Sequence, residues 1–159
     1  MELIAVRIEL PGNAPVVLLR ETGGASRLLP IFIGHPEATA IAFAVDGVVT
    51  PRPMTHDLMK DLIDALGATV DRIVITDLSE GTFYAEVHLV TPGQTPVRVS
   101  SRPSDAIALA TRVECPIYAE ESVLEVAGIV EEADEEESDE VVEQFREFID
   151  SVNPDDFAS

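Results

Sequence analysis

Residues 101–110 read Ser101-Arg102-Pro103-Ser104-Asp105-Ala106-Ile107-Ala108-Leu109-Ala110, and the rest of the chain is organised around this stretch. Proline suits the first turn of a helix because it lacks the N–H that would go unbonded there. Ser104 is a natural cap, and Asp105 complements the positive end of the helix dipole. The small residues that follow let a helix sit close to a sheet. A matching core, Ala40-Ile41-Ala42-Phe43-Ala44, follows His35-Pro36-Glu37.

Each core comes after three strand-like stretches. The first set lies at about 3–10, 16–20 and 28–33, and the second at about 69–77, 82–90 and 96–101, with turns at Pro11-Gly12-Asn13, Thr22-Gly23-Gly24, Ser79-Glu80-Gly81 and Thr91-Pro92-Gly93. The expected fold is a single α+β domain. It holds a duplicated β-β-β-α unit with mixed or antiparallel sheets and Ala-rich helices. Close packing on a sheet would by itself also explain the alanines, so the duplication is tested by strand order and direction.

A second polar helix entrance reads Arg52-Pro53-Met54-Thr55-His56-Asp57-Leu58. Thr55 is the cap candidate there, and Leu58, Met59, Leu62, Ile63 and Leu66 share one helical face up to Gly67. After the helix at 103–113, the pattern predicts a short strand at 116–119 and a short helix at 121–127.

Charge divides the chain at about residue 130. Residues 1–130 carry 17 acids and 9 bases, a net of −8, and residues 131–159 carry 13 acids and only Arg146, a net of −12. The run Glu131 to Glu137 has nothing to bury and reads as a solvated linker. Beyond it Val141, Val142, Phe145, Phe148, Ile149 and Val152 recur at helical spacing until Pro154. The expectation is a domain at 1–130 followed by an acidic linker and an amphipathic helix at 131–159. That helix would dock on its own domain, on a second copy, or on a separate protein partner.

A formal charge of −20 with Lys60 as the one lysine argues against a broad basic face for nucleic acid. A local anion site built from arginines stays open. Cys115 stands alone, so there is no disulfide framework and no Cys-based zinc site. With no basic leader and no long apolar run, the expectation is a cytoplasmic protein with no membrane contact. A homodimer is the default, because short strands and an apolar tail leave surface to cover.

Four signatures together resemble the bifunctional nuclease (BFN) domain family. They are Leu29-Pro30-Ile31-Phe32-Ile33-Gly34 with Glu37-Ala38; Arg52-Pro53-Met54-Thr55-His56-Asp57-Leu58; Asp77-Leu78-Ser79-Glu80-Gly81-Thr82-Phe83-Tyr84-Ala85; and the stretch at 101–110. The resemblance covers roughly residues 2–130 and implies a nuclease acting on DNA, RNA or both. Some members of the family carry a further C-terminal motif that the acidic tail here does not clearly match.

Phosphodiester hydrolysis needs an activated water and positive charge on the transition state. The catalytic candidates are therefore Glu37, His56, Asp57 and Asp105. Glu37, Asp57 and Asp105 would ligate a divalent Mg2+ or Mn2+, with no organic cofactor. Arg52, Arg102 and Ser104 would hold phosphate, helped by N–H groups at the helix starts. A plainer account stands beside this one: Arg52–Asp57 and Arg102–Asp105 would be ion pairs that fix helix entrances. In that account His88, Glu86 and Arg98 are sheet partners, and His35 is a surface residue. There is no phosphate-cradling Gly-rich loop, no His-Glu-x-x-His and no nucleophile elbow. The rival function is a non-catalytic regulatory or scaffold domain with an anion-binding site and a partner-binding tail.

Overall fold

The computed structural model describes residues 1–9 and 12–130; the linker and helix expected at 131–159 lie outside the described residues. The elements run β1 (Glu2–Glu9), β2 (Ala14–Arg20), β3 (Arg27–Phe32), α1 (His35–Val45), α2 (Thr55–Ala65), β4 (Thr69–Ser79), β5 (Thr82–Val90), β6 (Val97–Ser101), α3 (Pro103–Val113), β7 (Ile117–Ala119), α4 (Glu121–Ala127) and β8 (Ile129–Val130). This is an α+β domain with two four-stranded sheets, ordered β1-β2-β3-β8 and β6-β5-β4-β7.

Both halves contain an antiparallel three-strand meander, one feeding α1 and the other α3. The fourth strand breaks the likeness. In the first sheet β8 pairs antiparallel with β3, whereas in the second β7 pairs parallel with β4. The likeness therefore extends to meander and helix, and not to the whole sheet. The β4–β5 hairpin closes through Glu80 (φ 51°) and Gly81 (φ 76°), the left-handed pair that matches the twist of its strands.

The alanine cores explain the centre of the molecule. Helix α1 packs on the first sheet, α3 on the second, and the two helices pack on each other. Ala38 through Phe43 and Ala106 through Ala110 are all buried, so each helix is enclosed on every side. Leu19, Leu29, Ile41, Ile73, Ile75 and Ile107 join them in one continuous core. Polar ties flank it, one between the sheets at Met1 and one between β3 and α4 at Arg27. The Met1 amino group donates to the Ile117 carbonyl at 2.8 Å, and Arg27 bridges Glu21 and Glu121.

The expected caps are corrected. Met54 and Arg102 occupy the N-cap positions of α2 and α3, which makes Thr55 and Ser104 the first and second helical residues. Asp57 replaces the missing cap at α2: it reaches back from the third helical position and accepts the Met54 N–H at 2.9 Å.

Candidate functional site

Helices α1, α2 and α3 bring their N-terminal ends together: Arg102 ties α1 to α3, and Asp105 ties α3 to α2. Arg102 donates from Nη2 to Glu37 Oε1 at 2.8 Å and from Nε to Asp105 Oδ2 at 2.7 Å. The other Asp105 oxygen meets His56 Nε2 at 3.0 Å. Glu37, Arg102, Asp105 and His56 thus form one hydrogen-bonded chain. The sequence singled out all four, and packing of α1 and α2 on α3 assembles them.

Exposure grades along this chain. The Arg102 side chain is 66% exposed, Asp105 24% and His56 7%. The imidazole therefore lies behind the carboxylate and the guanidinium lies at the surface. Burial alone would push the Asp105 carboxyl up, but hydrogen bonds from Arg102 and His56 outweigh it and hold the group below the usual carboxylate range. Asp105 in turn raises Arg102 above its ordinary value, with Glu37 adding to the effect.

Asp57 lies outside this chain. Its Oδ1 accepts from Nε of Arg112, whose Nη1 donates to the Ala108 carbonyl at 2.8 Å. Burial would raise Asp57; the Arg112 bond and the Met54 N–H lower it on balance. The plainer account pairs Asp57 with Arg52; the structure pairs it with Arg112, whose side chain is only 7% exposed. Arg52 is exposed and joins none of these pairs. Arg112 was missed by the sequence reading, because nothing local ties it to an aspartate 55 residues away.

Ser104 is buried and, with Arg102, lines a cavity of about 320 Å3 that Gly34, Ile33 and Phe83 complete. A Cβ on Gly34 would press into the Glu37 carboxylate, so glycine here leaves that side chain room. Arg102 and Asp105 also edge a larger, mostly apolar groove of about 690 Å3 with Met59, Leu62, Ile63 and Val99. His35 is exposed as the first residue of α1. His88 and Glu86 sit on β5 at 3.0 Å from each other, and Arg98 on β6 lies 4.0 Å from Glu86, as sheet partners.

The donor set bears on a metal. Each candidate carboxylate already holds an arginine: Glu37 and Asp105 share Arg102, and Asp57 holds Arg112. Among the described residues no group of three or more His, Cys, Asp or Glu gathers to hold an ion. As arranged, the residues do not fit a carboxylate-caged divalent metal.

The chain is a two-sheet α+β domain in which an exposed arginine ties helix entrances together. The Bifunctional nuclease domain matches residues 17–132, and the chain belongs to that family. The matched span contains every candidate residue named above. Two uncharacterized proteins of Mycobacterium tuberculosis, from strains CDC 1551 / Oshkosh and H37Rv, are each 50% identical to it over 163 residues, covering 99% of this chain and 96% of theirs. Bifunctional nuclease 2 of Arabidopsis thaliana is 32% identical over 112 residues, 68% of this chain and 34% of that protein. Bifunctional nuclease 2 of Oryza sativa subsp. japonica is 30% identical over 124 residues, 76% of this chain and 38% of that protein. The chain thus corresponds to little more than a third of the plant nucleases it matches. No helix among the described residues is long and apolar enough to cross a membrane.

Proposed function

We propose that the protein is a nuclease that hydrolyses phosphodiester bonds of DNA or RNA at the joined helix entrances. The observation that carries this reading is the chain His56–Asp105–Arg102–Glu37, with its imidazole held by a carboxylate and its guanidinium open to solvent. Membership of a family with members named nucleases points the same way. In the tautomer where Nε2–H donates to Asp105, His56 orients, from behind, a carboxylate that accepts a proton from water beside Arg102. Arg102 meets a phosphate oxygen and offsets the charge that builds on it. Asp105 fixes both groups, and Glu37 fixes the guanidinium from the other side.

Mg2+ or Mn2+ on Glu37 and Asp105 would have to displace Arg102, so no step here runs through a metal; metal dependence is an arm of the test. The arginine-saturated carboxylates favour a second reading, in which a non-catalytic domain binds an anion at Arg102. We also propose a cytoplasmic homodimer. Leu58 and Leu62 of α2 and its C-cap Leu66 recur every fourth residue and are 51%, 55% and 79% exposed, an apolar ridge that a second copy would cover. Sedimentation as a monomer at micromolar concentration would remove the dimer. Recruitment of a protein partner by the acidic tail belongs to the second reading.

The test of the nuclease reading is cleavage of end-labelled single-stranded DNA, duplex DNA and RNA in Mg2+, Mn2+ or EDTA, beside an Arg102→Ala/Asp105→Ala variant purified identically. Cutting that disappears in the folded variant is the expected result. Equal cutting by both, or none by either, would overturn it.

A further inference from the structure

The outer face of the second sheet carries a row of basic groups that the helix-entrance network does not use. In register, Arg72 of β4 faces His88 of β5, which faces Arg98 of β6. The three side chains therefore lie abreast on strands about 4.8 Å apart. On the same strands Ile73, Ile75, Ala85 and Val87 are buried toward α3, and alternation sends the basic row the other way. The row lines an open cavity of about 590 Å3 with Tyr118, Glu86 and Glu120, a volume within the range of small-ligand sites.

The composition makes this row unusual. In a chain of net charge −20 with ten Lys and Arg and three His, two arginines and a histidine stand side by side. Arg72 and Arg98 are 44% and 69% exposed, so neither is locked in a buried pair. Arg72 touches its neighbour Asp71 at 2.7 Å, and Glu86 lies between His88 and Arg98. The half-exposed Tyr118 ring adds a stacking face.

A bare phosphate would use the arginines and leave the ring and the two glutamates idle. An acidic peptide spreads its charge past Glu86 and Glu120 and has no ring for Tyr118, whereas a nucleotide confines its charge to a phosphate at the arginines. A nucleotide carries phosphate, a flat ring and, in most bases, N–H donors, and so answers to all of these groups. Only an unpaired base has a face free to stack on Tyr118. Strand β6 then leads from this cavity to the other site, with Arg98 and Arg102 four residues apart on extended backbone. That is a span of about 13 Å at strand rise.

We propose that this face binds one nucleotide of single-stranded nucleic acid, with its phosphate on Arg72 and Arg98 and its base on Tyr118. The strand continues along β6 to Arg102. The path to Arg102 rests on the nuclease reading; the nucleotide on the sheet stands without it.

The test is fluorescence anisotropy in EDTA with a fluorescein-labelled single strand of about ten thymidines and the corresponding duplex. Folding of each variant is checked by circular dichroism. Arg72→Ala/Arg98→Ala should weaken strand binding at least tenfold and lower the log–log salt slope by about 0.7, the share of the one phosphate left without its arginines. Tyr118→Ala should weaken it about tenfold and leave the weaker duplex binding unchanged. Lys60→Ala, which removes an exposed charge elsewhere, should change nothing. The proposal is overturned if the strand fails to bind, if the sheet variants bind like wild type, or if Lys60→Ala is as damaging. It is also overturned if thymidine 5′-phosphate competes as well as the strand, which would make this a free-nucleotide pocket. Cleavage is read separately. This binding pattern without cleavage removes the nuclease reading alone, and cleavage with binding indifferent to the sheet variants removes this proposal alone.

Discussion

Two carboxylate–arginine pairs anchor on α3, Asp57–Arg112 reaching it from α2 and Asp105–Arg102 at its entrance, and they differ in what surrounds them. Asp57–Arg112 is closed: the arginine side chain is 7% exposed, and a second donor of its guanidinium is spent on a helix carbonyl. Asp105–Arg102 is open: the arginine is 66% exposed and spans two carboxylates from different helices. The closed pair takes a charge out of water and gives it one fixed partner, which is a structural arrangement. The open pair holds a cation where a solute can reach it, with a histidine behind. Exposure, and not pairing as such, separates a strut from a site in this molecule.

Asp105→Asn should separate the two pairs most. Losing the charge that orients both His56 and Arg102 should lower cleavage about 10²- to 10⁴-fold, read as initial rates on single-stranded substrate. An unchanged rate would make the open pair a second strut. Arg112→Ala should act on the other side of the comparison and destabilise by roughly 2–3 kcal/mol in urea unfolding. That is less than the ~3–5 kcal/mol of a fully buried pair, because Asp57 is about a third exposed. A loss well below 1 kcal/mol would mean that the closed pair holds little.

Acid should weaken both pairs. Asp57 and Asp105 are held below the usual carboxylate range in the folded state. Their contribution is complete above the unfolded value near pH ~4 and is lost as pH falls through the lower folded values. The urea midpoint should therefore stay level from about pH 7 to 5 as far as these groups are concerned and decline below about pH 4. The decline should be shallower in Asp57→Asn. An equal acid decline in that variant would assign it to other groups.

Much of the fold was legible because its signals are local. Pro36 and Pro103 mark helix starts, Gly81 marks a hairpin, and the alanine cores mark the two enclosed helices. The site was legible in its members: Glu37, His56, Arg102 and Asp105 all sit at helix entrances with unusual polarity. Its wiring was not. Thr55 and Ser104 look like caps, but with proline following Arg102 the arginine takes the cap position, and Asp57 caps α2 from within. Arg112 gives no local sign, since its partner is set by how α2 packs on α3. Strand β8 is too short for any periodicity, and Ile129 and Val130 pair only because α4 returns the chain to β3.

The most direct measurement compares Arg102→Ala with Arg112→Ala, assayed for cleavage at a temperature where unfolding curves show both variants folded. The account predicts that Arg102→Ala loses about 10²- to 10³-fold in rate, the cost of one charge-stabilising donor, while Arg112→Ala cuts at close to the wild-type rate. Equal losses in both, or a wild-type rate in Arg102→Ala, would contradict it.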